Sequence, residues 1–162
     1  MSSFVASSLA IEAMAIAIGG ILPTAQVYAD RAPQGIIPGA FVIRQISQVV
    51  RGAVGIVDLN DGEITPRRQL RRPTFEVRYY PESDEGERNK ECRDVEELLI
   101  FALEQVTTRE GVLLTAEDMR GVVSDGVLVM TLDYPYIIED TRYADPMRHM
   151  DYDLTNPRLV ND

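Results

Sequence analysis

Thr74-Phe75-Glu76-Val77-Arg78-Tyr79-Tyr80-Pro81 is the stretch on which the fold turns. Phe75, Val77 and Tyr79 fall on one side of an extended chain, and Thr74, Glu76, Arg78 and Tyr80 on the other. A period of two with one apolar side marks a strand that rests one face on a core. The strand is predicted from about Arg68 to Tyr80, with Pro73 inside it. Proline has no N–H to give a ladder, so the part before Pro73 is placed at an edge or a bulge. A second run, Ala40 to Val50, is long and rich in β-branched residues, as strands are. Its two faces do not separate into polar and apolar, which points to cover on both. Residues 52–66 carry Gly52, Gly55 and the pair Asp61-Gly62, which is loop chemistry. The two runs therefore read as one long antiparallel hairpin.

Working outward, Asn89 can cap a helix that runs to about Val106. Cys92, Val95, Leu99, Ala102, Leu103 and Val106 form an apolar stripe at helical spacing. Glu91, Asp94 and Glu97 crowd its early turns, where the helix dipole favours negative charge. Thr115 to Val123 leads into Ser124-Asp125-Gly126, a tight-turn signal. The strand Val127 to Ile138 follows, with Leu128, Met130, Leu132 and Tyr134 on one face. At the other end, Phe4 to Leu22 is apolar, and Val27-Tyr28-Ala29 could pass for a signal-peptidase site. No Lys or Arg precedes the run, so the positive leader region is missing. Glu12 interrupts it, whereas a membrane span needs about 20 apolar residues with few or no charges. The run is read as a packed helix, capped by Ser2 or Ser3 and ending near Gly19-Gly20 and Pro23. Met14, Ile16, Ile18 and Ile21 are expected in the core, a subunit contact being the alternative. Gln26 to Asp30 is a short strand candidate. The expected fold is α+β: a mainly antiparallel sheet with a long β-hairpin, two helices packed on it and an extended C-terminal tail. Residues 1–138 make the domain and 139–162 the tail.

At 162 residues the chain is most simply one domain. Its net charge of −10 argues against wrapping free nucleic acid, although an acidic lining would let DNA pass without sticking. The charge is split by position. Residues 1–81 hold 8 basic and 6 acidic groups, and residues 82–162 hold 8 basic and 20 acidic, so the second half is the acidic one. All basic residues but Lys90 are arginine, whose planar fork suits interface ion pairs; GC-rich coding DNA would give the same bias.

Four arginines, Arg67, Arg68, Arg71 and Arg72, lie within six residues. They read as an ion-pairing patch for a neighbouring subunit or another partner. The alternative is a strand edge whose charges block unwanted pairing. Nucleic acid is disfavoured, since no aromatic residue interleaves the cluster. Tyr143, Met147, Met150 and Tyr152 in the tail are candidates for docking onto a neighbouring subunit, with disorder as the alternative. Asp58, Asn60, Asp61 and Glu63 have the wrong spacing for a calcium loop: the glycine comes one place early and the twelfth position is Gln69. His149 among Asp145, Asp151 and Asp153 reads as a surface residue, and Cys92 as core. A single histidine gives no support to a hydrolytic triad. No catalytic residue, cofactor or metal site is expected.

The order of these motifs resembles the tail terminator proteins of tailed bacteriophages, also called tail completion or head–tail joining proteins. The similarity rests on Leu22-Pro23 at the helix end, Val27-Tyr28, Gln34-Gly35, Pro38 and Phe41-Val42-Ile43. It continues through Phe75 to Pro81, the Leu-rich Val95-Glu96-Glu97-Leu98-Leu99, Asp125-Gly126-Val127-Leu128-Val129 and a methionine in the tail, Met147 or Met150. It spans roughly residues 14–150. The chain departs from the pattern in its very apolar first helix and its long 52–66 loop. The resemblance implies a structural virion protein: a homo-oligomeric, hexameric ring, assembled in the bacterial cytoplasm, that caps the tail tube protein and then meets the head–tail connector. It implies DNA crossing the lumen without specific binding, no membrane and no catalysis. Two other readings stand beside it. One is a neck, collar or head-completion subunit; the other is a small host-cell ligand-binding or enzymatic α+β domain.

Overall fold

A computed structural model describes residues 7–35, 37–54 and 67–140, with the backbone alone at 52–54, 67–68 and 138–140. In chain order the elements are α1 (Ser7–Ile21), β1 (Val27–Ala29), β2 (Phe41–Val54), β3 (Arg67–Tyr79), α2 (Arg88–Leu103), β4 (Gln105–Thr107), β5 (Leu113–Thr115), β6 (Glu117–Ser124), β7 (Val127–Asp133) and β8 (Tyr136–Asp140). By contacts the chain divides into two units. The larger holds Val5–Val49 and Arg71–Tyr136; the smaller includes the described stretches 50–54, 67–70 and 137–140.

The main sheet runs β1-β2-β3-β7-β6, with β8 also paired to β3. The pairings β3–β7 and β6–β7 are antiparallel, and the short β1 lies parallel on β2. The start of β2 meets the end of β3, because Gly39 N–H donates to Tyr80 O and Tyr80 N–H to Ala40 O. The long hairpin is thus present. With two helices on a mostly antiparallel sheet, the architecture is the α+β one expected from the sequence.

One face of this sheet carries the core. Phe75, Val77 and Tyr79 of β3 and Leu128, Met130 and Leu132 of β7 point into it, as their alternation requires. Against them pack Leu9, Ala13, Met14 and Ile18 of α1 and Cys92, Val95, Leu99 and Leu103 of α2. Phe41 stacks obliquely on Tyr79 with ring centres 4.7 Å apart. Tyr134, fully buried, donates its hydroxyl to Leu103 O at 2.7 Å, so its polar end is satisfied.

Several sequence expectations shift. Ile16 is 64% exposed, because it falls on the side of α1 away from Met14 and Ile18. The Ser2 or Ser3 cap lies outside the described residues. Helix α2 starts at Arg88 and ends at Leu103, and Val106 reaches the core from β4. The β4–β5 hairpin, with Val106 opposite Leu114, is too short for periodicity to show. The last strand is broken at Tyr134-Pro135, so it becomes β7 and β8. The run before Pro73, expected at an edge or a bulge, belongs to a continuous β3 that lies between β2 and β7 and also pairs with β8, and Pro73 sits inside that strand. It is tolerated because the β7 ladder covers Thr74 to Tyr79 and stops there. Pro73 then contributes only its carbonyl, which accepts from Tyr134 N–H at 3.2 Å. At the β6–β7 turn Asp125 (φ 51°) and Gly126 (φ 73°) are both left-handed, the geometry of a tight two-residue hairpin.

Candidate functional site

With both helices on the core face, no helix among the described residues packs on the opposite face of the sheet. Register fixes what it displays. Thr74 lies opposite Asp133, Glu76 opposite Thr131 and Arg78 opposite Val129. Across the next ladder Thr131 lies opposite Arg120 and Val129 opposite Val122. Paired residues project on the same side, so one surface carries Thr74, Glu76, Arg78, Val129, Thr131, Asp133, Arg120 and Val122.

Two ion clusters organise this surface. In the first, Glu76 Oε1 accepts from Arg44 Nε at 2.8 Å and from Arg78 Nε at 2.7 Å. Burial of Glu76 pushes its carboxyl up, but the two guanidinium hydrogen bonds outweigh this and hold it below its ordinary value. In the second, Arg72 reaches three acids. Its Nε donates to Asp133 Oδ2 at 2.8 Å, and its Nη2 lies 2.9 Å from Glu117 Oε2 and 2.7 Å from Asp118 Oδ2. Thr74 Oγ1 donates to the other Asp133 oxygen at 2.6 Å. The acids converge because β6 shifts register between Glu117 and Arg120, and Asp118 there takes φ 52°. The hydrogen bond to Asp133 raises the Arg72 pKa above its ordinary value.

A third device lies at the join of β3 and α2. Glu91 accepts from Tyr79 Oη at 2.6 Å, Glu82 N–H at 2.9 Å and Ser83 N–H at 2.8 Å. Half-burial works against the charge, yet these bonds hold the Glu91 carboxyl down at about 2. The same environment, burial first and then the Glu91 bond, pushes the Tyr79 phenol well up.

Of the four arginines singled out in sequence, Arg72 is engaged by acids from the second half of its own chain. Arg71 is hydrogen-bonded to Tyr136, whose phenol is raised by burial and lowered by that arginine. Arg67 and Arg68 open β3, and only their backbone is described. Tyr143, Met147, Met150 and Tyr152 lie outside the described residues, as do His149 and the 58–63 stretch. Cys92 is buried on the α2 stripe. Sequence reasoning missed Arg44 and Arg120. The polar side of β3 was legible, but nothing local told which arginines of other strands would share it.

Among the described residues no group of His, Cys, Asp and Glu could hold a metal. Clefts of about 190 Å³ lie beside Gln26, Gly39, Tyr79 and Glu82 and beside Ser8, Glu12 and Asp30. Both are below the roughly 300–1,000 Å³ usual for ligand pockets. Among the described helices none is long and apolar enough to cross a membrane. Among the described residues, the helices close one face of the sheet on the core, and the other face carries the two ion clusters.

The family model described as phage tail terminator protein matches residues 11–146, and the chain belongs to that family, a family of structural tail proteins of the phage virion. Among solved structures, 15 chains match. One is in a structure described as "Virion of native gene transfer agent (GTA) particle". It is 11% identical, with 85% of this chain and 99% of that one covered at a TM-score of 0.47. No curated protein matches.

Proposed function

We propose that this chain closes into a homo-oligomeric ring, a hexamer, that caps the tail tube, ends its polymerisation and offers the head connector its joining surface. Subunits meet head to tail in an interface closed by rotation. DNA crosses the lumen without specific binding, and the part played is structural rather than catalytic. Assembly takes place in the host cytoplasm. Membership of the tail terminator family over residues 11–146 is the observation that carries this reading.

The arginine-rich end of β3 is the proposed docking edge, meeting acids of the next subunit or of the tube. Arg67, Arg68, Arg71 and Arg72 are the residues assigned to it, although Arg72 is also held by Asp133, Glu117 and Asp118 of its own chain and Arg71 is bonded to Tyr136. Tyr143, Met147, Met150 and Tyr152 are assigned to a neighbouring subunit. Native mass spectrometry and light scattering test the docking. The ring is expected to dissociate in molar salt, where screening falls to about 3 Å, and Arg68→Glu with Arg71→Glu is expected to stay monomeric. A ring that survives both refutes electrostatic docking.

A further inference from the structure

Helix α2 turns an unusual outer side to solvent. Asp94, Glu97, Leu98, Phe101 and Glu104 follow one another at spacings of three and four, so they form one stripe. All five are exposed, and Phe101 is 80% exposed. A large aromatic flanked by three carboxylates has the composition of a contact anchor with a charged rim. None of the three acids has an ion-pair partner among the described residues.

The opposite face of the sheet offers the complement. Val122 is 45% exposed on the edge strand β6. Arg120 stands two residues away on the same face, exposed and without an ion-pair partner among the described residues. Arg78 lies in the Val122 row, opposite Val129, and Arg44 joins through Glu76. The rows around Val122 thus hold Arg44, Arg78 and Arg120 against Glu76, whereas the Arg72 cluster farther along the face adds one arginine and three acids.

We infer that the α2 stripe of one copy, centred on Phe101, docks on the open sheet face of a second copy, around Val122 and Arg120. The occupant is a second copy because both halves of the match, acidic and basic, are carried by the same chain. They cannot meet within it: α2 packs over Gly121, with the Glu96 side chain against that glycine, while Val122 points out of the other side of the sheet. A contact from one side of a molecule to the opposite side of the next is heterologous, and it closes into a ring or runs on as a filament. The assignment rests on the ring reading and adds an interface distinct from the arginine end of β3.

The test is a chain carrying Phe101→Cys and Val122→Cys, with the buried Cys92 left in place. Mild oxidation is expected to give a ladder of cross-linked copies up to the full ring, with disulfide-linked peptides joining α2 of one copy to β6 of the next. Either cysteine alone gives no ladder. In parallel, Phe101→Ala raises the concentration needed for half-assembly at least about tenfold. Arg120→Glu and Glu97→Arg each weaken assembly, and both together in one chain restore it. Circular dichroism confirms that each variant is folded. A wild type that stays monomeric in solution and on tube ends overturns the ring reading and this interface with it. A wild type that forms rings, with no ladder or with unaffected single variants, overturns the interface alone. So does an intact ring of Arg120→Glu with altered DNA passage, which would give the face to DNA.

Discussion

Glu91→Gln is the sharpest probe of the fold itself. The Glu91 carboxylate gathers Tyr79 Oη and the N–H groups of Glu82 and Ser83, tying the loop after β3 to the first turns of α2. Glutamine keeps one acceptor oxygen for Tyr79 and Glu82 but turns an NH₂ toward the Ser83 N–H, so two donors face each other. The carboxyl is held at about 2 against an ordinary 4.5. At about 1.4 kcal/mol per pKa unit that difference corresponds to about 3 kcal/mol of preference for the charged form. Partial exposure reduces this, and about 2 kcal/mol is the expected loss at pH 7. Because the folded pKa is depressed, the stabilisation is fully present above the unfolded value. It is lost as the pH falls from there through about 2. Urea unfolding of dilute wild type and variant at pH 7, 5 and 3 checks both magnitude and sign. The gap is expected to be widest at pH 7 and to shrink by pH 3. A gap below about 0.5 kcal/mol at pH 7, or one that does not change with pH, refutes the account.

Glu76→Ala removes the shared acceptor of Arg44 and Arg78 and leaves two half-exposed guanidiniums side by side. It is expected to cost about 1–2 kcal/mol in urea unfolding, less than a fully buried pair because the arginines can turn to water. Its contribution fades in acid, since the Glu76 pKa is lowered in the fold. Met14→Ala opens a cavity between α1 and the sheet, where Met14 has no exposed surface, and is expected to cost about 3 kcal/mol by the same measurement. A loss under about 1 kcal/mol would mean that α1 is not seated on the core as described.

Strand and helix types were legible where a period ran long enough to be counted. The alternation of Phe75, Val77 and Tyr79, and of Leu128, Met130, Leu132 and Tyr134, named the buried face residue by residue. The α2 stripe did the same for Cys92, Val95, Leu99 and Leu103. Short or shared features were not legible. The three-residue strands β4 and β5 give too few positions for a period. Ile16 looked like core because the whole run around it is apolar, and only the direction of packing tells which side of such a helix is wet. The run before Pro73 reads as an edge or a bulge because the missing N–H of Pro73 is local information. That β7 ends opposite it is not.

The candidate site follows the same division. The arginine-rich run 67–72 was visible as composition, and so was the acidic second half. Tertiary structure decided which charges meet. A bulge in β6 brings Glu117 and Asp118 onto Arg72, and strand register lines Arg120 up with Thr131 and Glu76. Arg44–Glu76 and the three Arg72 pairs join positions 32 to 61 residues apart in the chain, and their choice depends on strand register. The sequence alone determined an α+β chain with a basic strand end and an acidic half, because periodicity and charge are local properties. Which face of the sheet the two helices leave uncovered, and which arginines stand on it beside Val122, is set only when both helices have packed on the other side.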